Sequence, residues 1–345
     1  MASTAVARVV PEAAAPLVEV SGLRKYFPVR GGVFGGVVNQ VRAVEDVSFS
    51  IRKGETLGLV GESGCGKTTV GRLLLRLLEP SAGSVRFDGV ELSSLKPAEL
   101  RRMRRRMQIV FQDPYGSLNP RRTVGDAIAE PIYVHGLARG AELDKRVARL
   151  LERVGLPSAY RARYPHEFSG GQRQRVCIAR ALSLGPELLV CDEAVSALDI
   201  SIQAQILNLL QELQQELGLT YLFISHNLNV VRHIADRIAV MYLGNLIEQG
   251  DAQSLFASPQ HPYTRALLSA NPLPDPDAPL EPVALSGELP SALNPPAGCR
   301  FHTRCPNVFE PCSVVVPAAR LVKPGADAAP HRVRCHLYDD APHAD

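Results

Sequence analysis

The sequence predicts an α/β fold: a mainly parallel sheet covered by helices, with an N-terminal antiparallel β subdomain, a helical insertion and a small Cys- and Pro-rich C-terminal extension. Three observations carry the prediction. Apolar strands alternate with helical stripes through "ETLGLV", "ELLVCDE", "TYLFISH" and "RIAVMYLG". The first of these runs directly into the glycine-rich loop "GESGCGKTT", and Val70, Leu73, Leu74, Leu77 and Leu78 then repeat at helical spacing. From about residue 120 to 185 the pattern is helical, with no convincing strand.

Each element follows from its own pattern. Residues 1 to 16, broken by Pro11, Glu12 and Pro16, read as a flexible leader rather than a signal peptide. "LVEVSGL" and "VRAVEDVSFSI" alternate as half-buried strands, with "GGVFGG" as the loop between them. "SVRFDG" and "RMQIVFQ" read as further strands. "VGDAIAEPIYVHGL" and "ELDKRVARLLERVGL" are amphipathic helices of the insertion, and Ile206, Leu210, Leu213 and Leu217 form one apolar stripe. Beyond about residue 251 prolines crowd from Pro259 to Pro296, so the core is expected to span about 17 to 250 and the extension 251 to 345.

Composition narrows the class. The chain has 345 residues and 46% apolar content, enough to bury an ordinary core. No apolar run reaches the length of about 18 residues that a membrane-spanning helix needs. A formal charge of +3 gives little reason to expect a nucleic-acid partner, and the basic run "RRMRRRM" reads as a solvated helix face. Seven cysteines without an export signal point to a reducing compartment, with Cys65, Cys177 and Cys191 as packed side chains.

The loop Gly61, Glu62, Ser63, Gly64, Cys65, Gly66, Lys67, Thr68 and Thr69 matches G-x-x-x-x-G-K-[ST] between a strand and a helix. Its glycines let backbone N–H groups turn toward phosphate oxygens, and the helix N-terminus adds positive potential. Lys67 is expected on the β- and γ-phosphates of ATP and Thr68 on Mg²⁺. Such a loop needs an acidic partner at a neighbouring strand end, and "LLVCDE" supplies Asp192 for Mg²⁺ and Glu193 to polarise the attacking water. His226 closes the apolar strand "YLFIS", where it would meet the γ-phosphate. A second glycine pair, in "FSGGQRQR", precedes a helix without following a strand; Ser169 is its expected cap, and Gly170 and Gly171 leave the helix N-terminus open to an anion.

"GESGCGKTT", Gln112 in "FQDP", "FSGGQ", "LLVCDE", "SALD" and His226 occur in the order and approximate spacing of the ATP-binding-cassette (ABC) ATPases, which this chain resembles. The resemblance implies that Ser169, Gly170, Gly171 and Gln172 cap an ATP held by the phosphate loop of a second subunit, in a head-to-tail dimer. It implies further that Phe27 stacks on adenine, with Tyr26 as the close alternative, that Gln112 meets Mg²⁺ or water, and that Asp199 couples the two sites. Phe168, Ala194 and Val195 depart from the commoner family residues without removing a group the chemistry requires. "FQDPYGSLNPR", "DEAVSALDISIQAQILNLL" and "QHPYTRALL" narrow the resemblance to the ATPase subunits of dipeptide and oligopeptide importers. That implies a peripheral subunit on the cytoplasmic face of a membrane, working with a second, different ATPase subunit, two transmembrane permease subunits and an extracytoplasmic peptide-binding protein. The solute stays open among dipeptides, oligopeptides, nickel and glutathione. A soluble cassette ATPase acting on nucleic acid or ribosomes is the rival reading. It would bring long coiled-coil insertions or two cassettes, and this chain has one cassette and no long heptads. A regulatory module without turnover is disfavoured by Glu193 and His226.

Cys299, Cys305, Cys312 and Cys335 follow the spacing C-x5-C-x6-C-x22-C in the tail. Three readings stay open for them: a structural [4Fe-4S] cluster, which some importers with a similar tail carry, packed free thiols, or zinc.

Overall fold

The computed structural model describes residues 15–31, 36–270, 288–325 and 329–343. The leader up to residue 14, the middle of "GGVFGG" and residues 271–287 of the proline-rich stretch lie outside the described residues.

In chain order come the long strands β1 (Pro16–Gly31) and β2 (Gly36–Arg52), the buried β3 (Thr56–Val60), helix α1 (Lys67–Leu74), and strands β4 (Ala82–Phe87) and β5 (Val90–Glu91). β1 pairs antiparallel with β2 on one side and with β4 on the other, giving the sheet order β2-β1-β4-β5. This is the expected antiparallel subdomain. α1 is shorter than its apolar stripe suggests. Arg76 takes a left-handed φ of 50°, and the Leu77 amide reaches back to the Arg72 carbonyl at 2.8 Å, which closes the helix before Leu77.

The chain continues through α2 (Pro97–Met103), β6 (Met107–Val110), α3 (Val124–Val134), α4 (Gly140–Arg153), α5 (Gly170–Leu182), β7 (Leu188–Asp192), α6 (Ile200–Leu217), β8 (Thr220–Ser225), α7 (Leu228–Ile234), β9 (Arg237–Tyr242) and β10 (Asn245–Asp251). Then follow α8 (Ala252–Ala257), α9 (Pro262–Ser269), β11 (Ala319–Val322) and β12 (His331–Arg334). The second sheet has the order β11-β12-β10-β9-β3-β8-β7-β6. Its strands from β9 to β6 are parallel, and each is flanked by helices, so their sequences read as continuous apolar runs. Alternate residues still part to opposite faces. Leu188 and Val190 join the core beneath α1 and the antiparallel sheet, whereas Leu189 and Cys191 join the core under the helical insertion.

The tail adds strands to this sheet. β12 pairs antiparallel with β10, Glu248 opposite Val333, and β11 pairs with β12. A buried carboxylate fastens the junction: Glu248 accepts hydrogen bonds from the Gln260 and His261 amides at 2.8 and 2.9 Å and faces His331 Nδ1 at 2.9 Å. Burial alone would raise its pKa, but these partners bring it below the usual carboxylate range.

The basic run is not a wholly solvated face. Arg101 and Arg102 are exposed, but Arg104 donates to the Leu75 and Arg76 carbonyls, and Arg106 pairs with Glu187 at 2.5 Å and Asp88 at 2.6 Å over the Phe87 ring. On α6, Ile206, Leu210 and Leu213 are buried as expected, while Leu217 is partly exposed where Gly218 ends the helix at φ 65°.

Candidate nucleotide site

β3 is buried along its whole length and delivers the glycine loop to the edge of the sheet. Two glycines there have no substitute. A Cβ on Gly61 would lie 2.1 Å from the Met241 carbonyl oxygen, and one on Gly66, which caps α1 at φ 108°, would lie 2.2 Å from the Ala43 carbonyl oxygen. The backbone is thereby pressed against β9 and β2 while Ser63 and Gly64 stay exposed at the loop tip. Lys67 is buried, and its ammonium donates to the Gly61 and Glu62 carbonyls at 2.7 and 2.9 Å. A lysine held by its own loop can exchange those carbonyls for phosphate oxygens with little motion.

Three parallel strands end beside this loop. At the end of β7, Asp192 Oδ1 accepts from the Thr68 hydroxyl at 2.9 Å. Burial raises the pKa of Asp192, and Glu193 pushes it further the same way. A buried carboxylate beside a hydroxyl is a hard-oxygen donor pair whose desolvation a divalent cation would offset, so the residues fit Mg²⁺. Glu193 takes a left-handed φ of 48°, which costs about 1–2 kcal/mol for a residue with a Cβ and turns the chain sharply off the strand. Its carboxylate then accepts from Gln112 Nε2 at 2.9 Å and lies 3.2 Å from His226 Nδ1. Gln112 follows β6 and His226 follows β8, so neighbouring strands bring together three residues far apart in sequence.

The second glycine pair, Gly170 and Gly171, begins α5. Ser169 and Gln172 form a reciprocal capping box, Gly170 is exposed, and a Cβ on Gly171 would lie 2.4 Å from Ile202 at the start of α6. Phe168 is buried against the Tyr160 ring at 5.6 Å, so the aromatic at this position packs the insertion. Asp199 is exposed at the N-cap of α6. On β1 the two aromatic candidates differ: the Tyr26 hydroxyl donates to Glu45, whereas the Phe27 ring has the Lys25 ammonium 5.2 Å from its centre.

The structure does not support the [4Fe-4S] cluster. Among the described residues no group of three or more His, Cys, Asp or Glu side chains is arranged to hold a metal ion. Cys299, Cys305, Cys312 and Cys335 are free thiols, and the Cys299 amide donates to the Cys312 carbonyl at 2.8 Å. Burial pushes the Cys299 thiol up to about 11 and the Cys335 thiol up to about 12.

Sequence reasoning missed what stands behind the loop. Tyr263 of α9 accepts from the Glu62 amide at 3.0 Å, and Arg304 of the tail donates to both carboxylate oxygens of Glu62 at 3.1 Å. "QHPYTRALL" marked the tail as a feature, but no local pattern tells that it touches residue 62.

A phosphate loop, an acidic pair on the adjoining strand, polar residues on the flanking strand ends and a second glycine pair opening a helix define a P-loop ATPase of the cassette class. The comparisons agree with that class. Residues 44–196 match the ABC transporter family model, and residues 247–312 match the oligopeptide/dipeptide transporter C-terminal region. The chain is 52% identical over 325 residues to the oligopeptide transport ATP-binding protein AppF of Bacillus subtilis (strain 168), covering 93% of this chain and 97% of that protein. Among solved structures, cbiO1 of Clostridium perfringens, part of the cbiONQ ABC transporter complex, is 29% identical with a TM-score of 0.61, covering 70% of this chain and 91% of its own. The ATP-binding cassette MJ0796, solved as a dimer in a post-hydrolysis state bound to ADP and Pi, is 29% identical with a TM-score of 0.59, covering 68% of this chain and 98% of its own.

 The chain belongs to the ABC transporter ATPases, in the group of oligopeptide transport ATP-binding proteins.

Proposed function

We propose that this chain binds and hydrolyses ATP as one of two different cassette subunits that power a peptide importer, peripheral to the cytoplasmic face of a membrane. The observation that carries the reading is Glu193, fixed between Gln112 and His226 beside the Thr68–Asp192 pair. Lys67 exchanges the carbonyls of Gly61 and Glu62 for the β- and γ-phosphates of ATP. Glu193 orients the attacking water, and His226 meets the γ-phosphate. Thr68, Asp192 and Gln112 would hold Mg²⁺, which when bound neutralises charge on the β- and γ-oxygens. Phe27 stacks on adenine. Ser169, Gly170, Gly171 and Gln172 serve the ATP on the partner's loop, and Asp199 couples the two sites. ATP then favours the closed dimer because only that state engages both surfaces, and hydrolysis reopens it. Among the described residues no helix is long and apolar enough to cross a membrane, and the reading assigns the crossing to two permease subunits.

Purification of the tagged chain from gently solubilised native membranes tests this. Two membrane subunits, a second cassette ATPase and a binding protein carrying peptide are the expected companions. Recovery from the soluble fraction with ribosomes or nucleic acid would overturn the transport reading and leave the ATPase standing.

A further inference from the structure

Glu62 places a carboxylate inside the loop that receives a polyphosphate, and the tail answers it. Arg304 Nη1 reaches both oxygens of Glu62 at 3.1 Å, from a side chain only 8% exposed. Its guanidinium lies 6.0 Å from the Tyr242 ring centre, in a cluster where Tyr242, Tyr263 and Phe301 meet at 4.7 to 5.4 Å. Those rings are fully buried, so the cation has a stiff support. Glu62 is held twice more: its amide donates to Tyr263 Oη at 3.0 Å, and its carbonyl accepts from Lys67 Nζ at 2.9 Å. The tail therefore fixes the carbonyl that parks the phosphate-binding lysine.

We propose that Arg304, supported by Tyr263, is a positioning residue that neutralises Glu62 and holds the phosphate loop ready for ATP, so that the C-terminal extension sets nucleotide affinity. An unpaired Glu62 carboxylate would repel the triphosphate, whereas the partly buried ion pair cancels that one negative charge and leaves the Lys67 ammonium to attract it. The inference rests on the loop being the ATP site.

The test uses the full chain, titrating ATP with Mg²⁺ and recording the melting transition without nucleotide. Arg304→Met is expected to weaken ATP binding about tenfold, and Glu62→Gln added to it to recover most of that loss, because the repelling charge is then gone. Arg304→Lys keeps the charge but not the two-oxygen contact, and should fall between. Glu62→Gln alone leaves a cation beside the loop and should tighten ATP about threefold, which keeps the test open even where Arg304→Met fails to fold. A merely structural Arg304 would lower the melting temperature without this pattern of rescue. Unchanged affinity in a folded Arg304→Met, failure of Glu62→Gln to restore it, or weaker binding by Glu62→Gln alone would overturn the proposal. Absence of ATP binding by the unsubstituted chain would overturn the reading of the site itself.

Discussion

Glu193, at the mouth of the core sheet, accepts from a neutral amide and faces an imidazole, whereas Glu62, in the phosphate loop, is met by a guanidinium on both oxygens. On the proposed function, the partners match what each carboxylate would have to do. A group that orients water has to keep an oxygen free to accept, and contacts from an amide and an imidazole direct it. A carboxylate beside a bound anion must be cancelled, and a nearly buried arginine does that. On that reading the two acids are told apart by their partners, and burial alone would not separate them.

The sharpest way to break the contrast is Glu193→Gln. It preserves shape and leaves the loop intact, so hydrolysis should fall by about 10²-fold or more while ATP binding persists, read by phosphate release against equilibrium binding. Normal turnover would remove Glu193 from the chemistry and with it the contrast. A smaller effect is expected on the antiparallel sheet. Phe27→Ala should weaken ATP about fivefold and leave inorganic triphosphate untouched, whereas Tyr26→Phe, which cuts the bond to Glu45, should change ATP affinity less than about twofold. Unchanged ATP affinity in Phe27→Ala would return the adenine contact to Tyr26.

The smallest effect concerns the support behind Glu62. Burial lowers the pKa of His261 from 6.5 to about 4, so the unfolded chain binds a proton there in a range where the folded chain does not. The stability carried by neutral His261 is complete above pH 6.5 and is lost as pH falls toward 4. Urea unfolding at pH 7.5 and pH 5 should show this loss, and His261→Asn, which can still accept from the Tyr263 amide, should show less of it. Identical pH dependence in the two chains would exclude His261 as its source.

These regions also differ in how far they could be read from sequence. Glu193 and His226 each follow an apolar run, so strand ends were enough to group those two, whereas Gln112 joined them only through the family resemblance. The backbone turn at Glu193 was not visible, because positive φ at a residue with a Cβ has no composition signal. Leu77 carried the helical period and still fell outside α1, because the turn at Arg76 overrides a stripe. Arg304 and Tyr263 were hidden for another reason: they meet Glu62 across 242 and 201 residues, and no spacing rule spans such distances. The cysteine spacing was legible as a pattern but did not say where the thiols would point.

The separation between Glu62 and Arg304 also sets a timetable. At about 5–20 residues per second, the ribosome finishes the phosphate loop on the order of ten seconds or more before it makes the arginine that pairs with it. β10 likewise waits for β12 before its outer edge is covered. During translation the nascent cassette therefore carries an exposed strand edge and an uncompensated acid in its loop until the last part of the chain arrives.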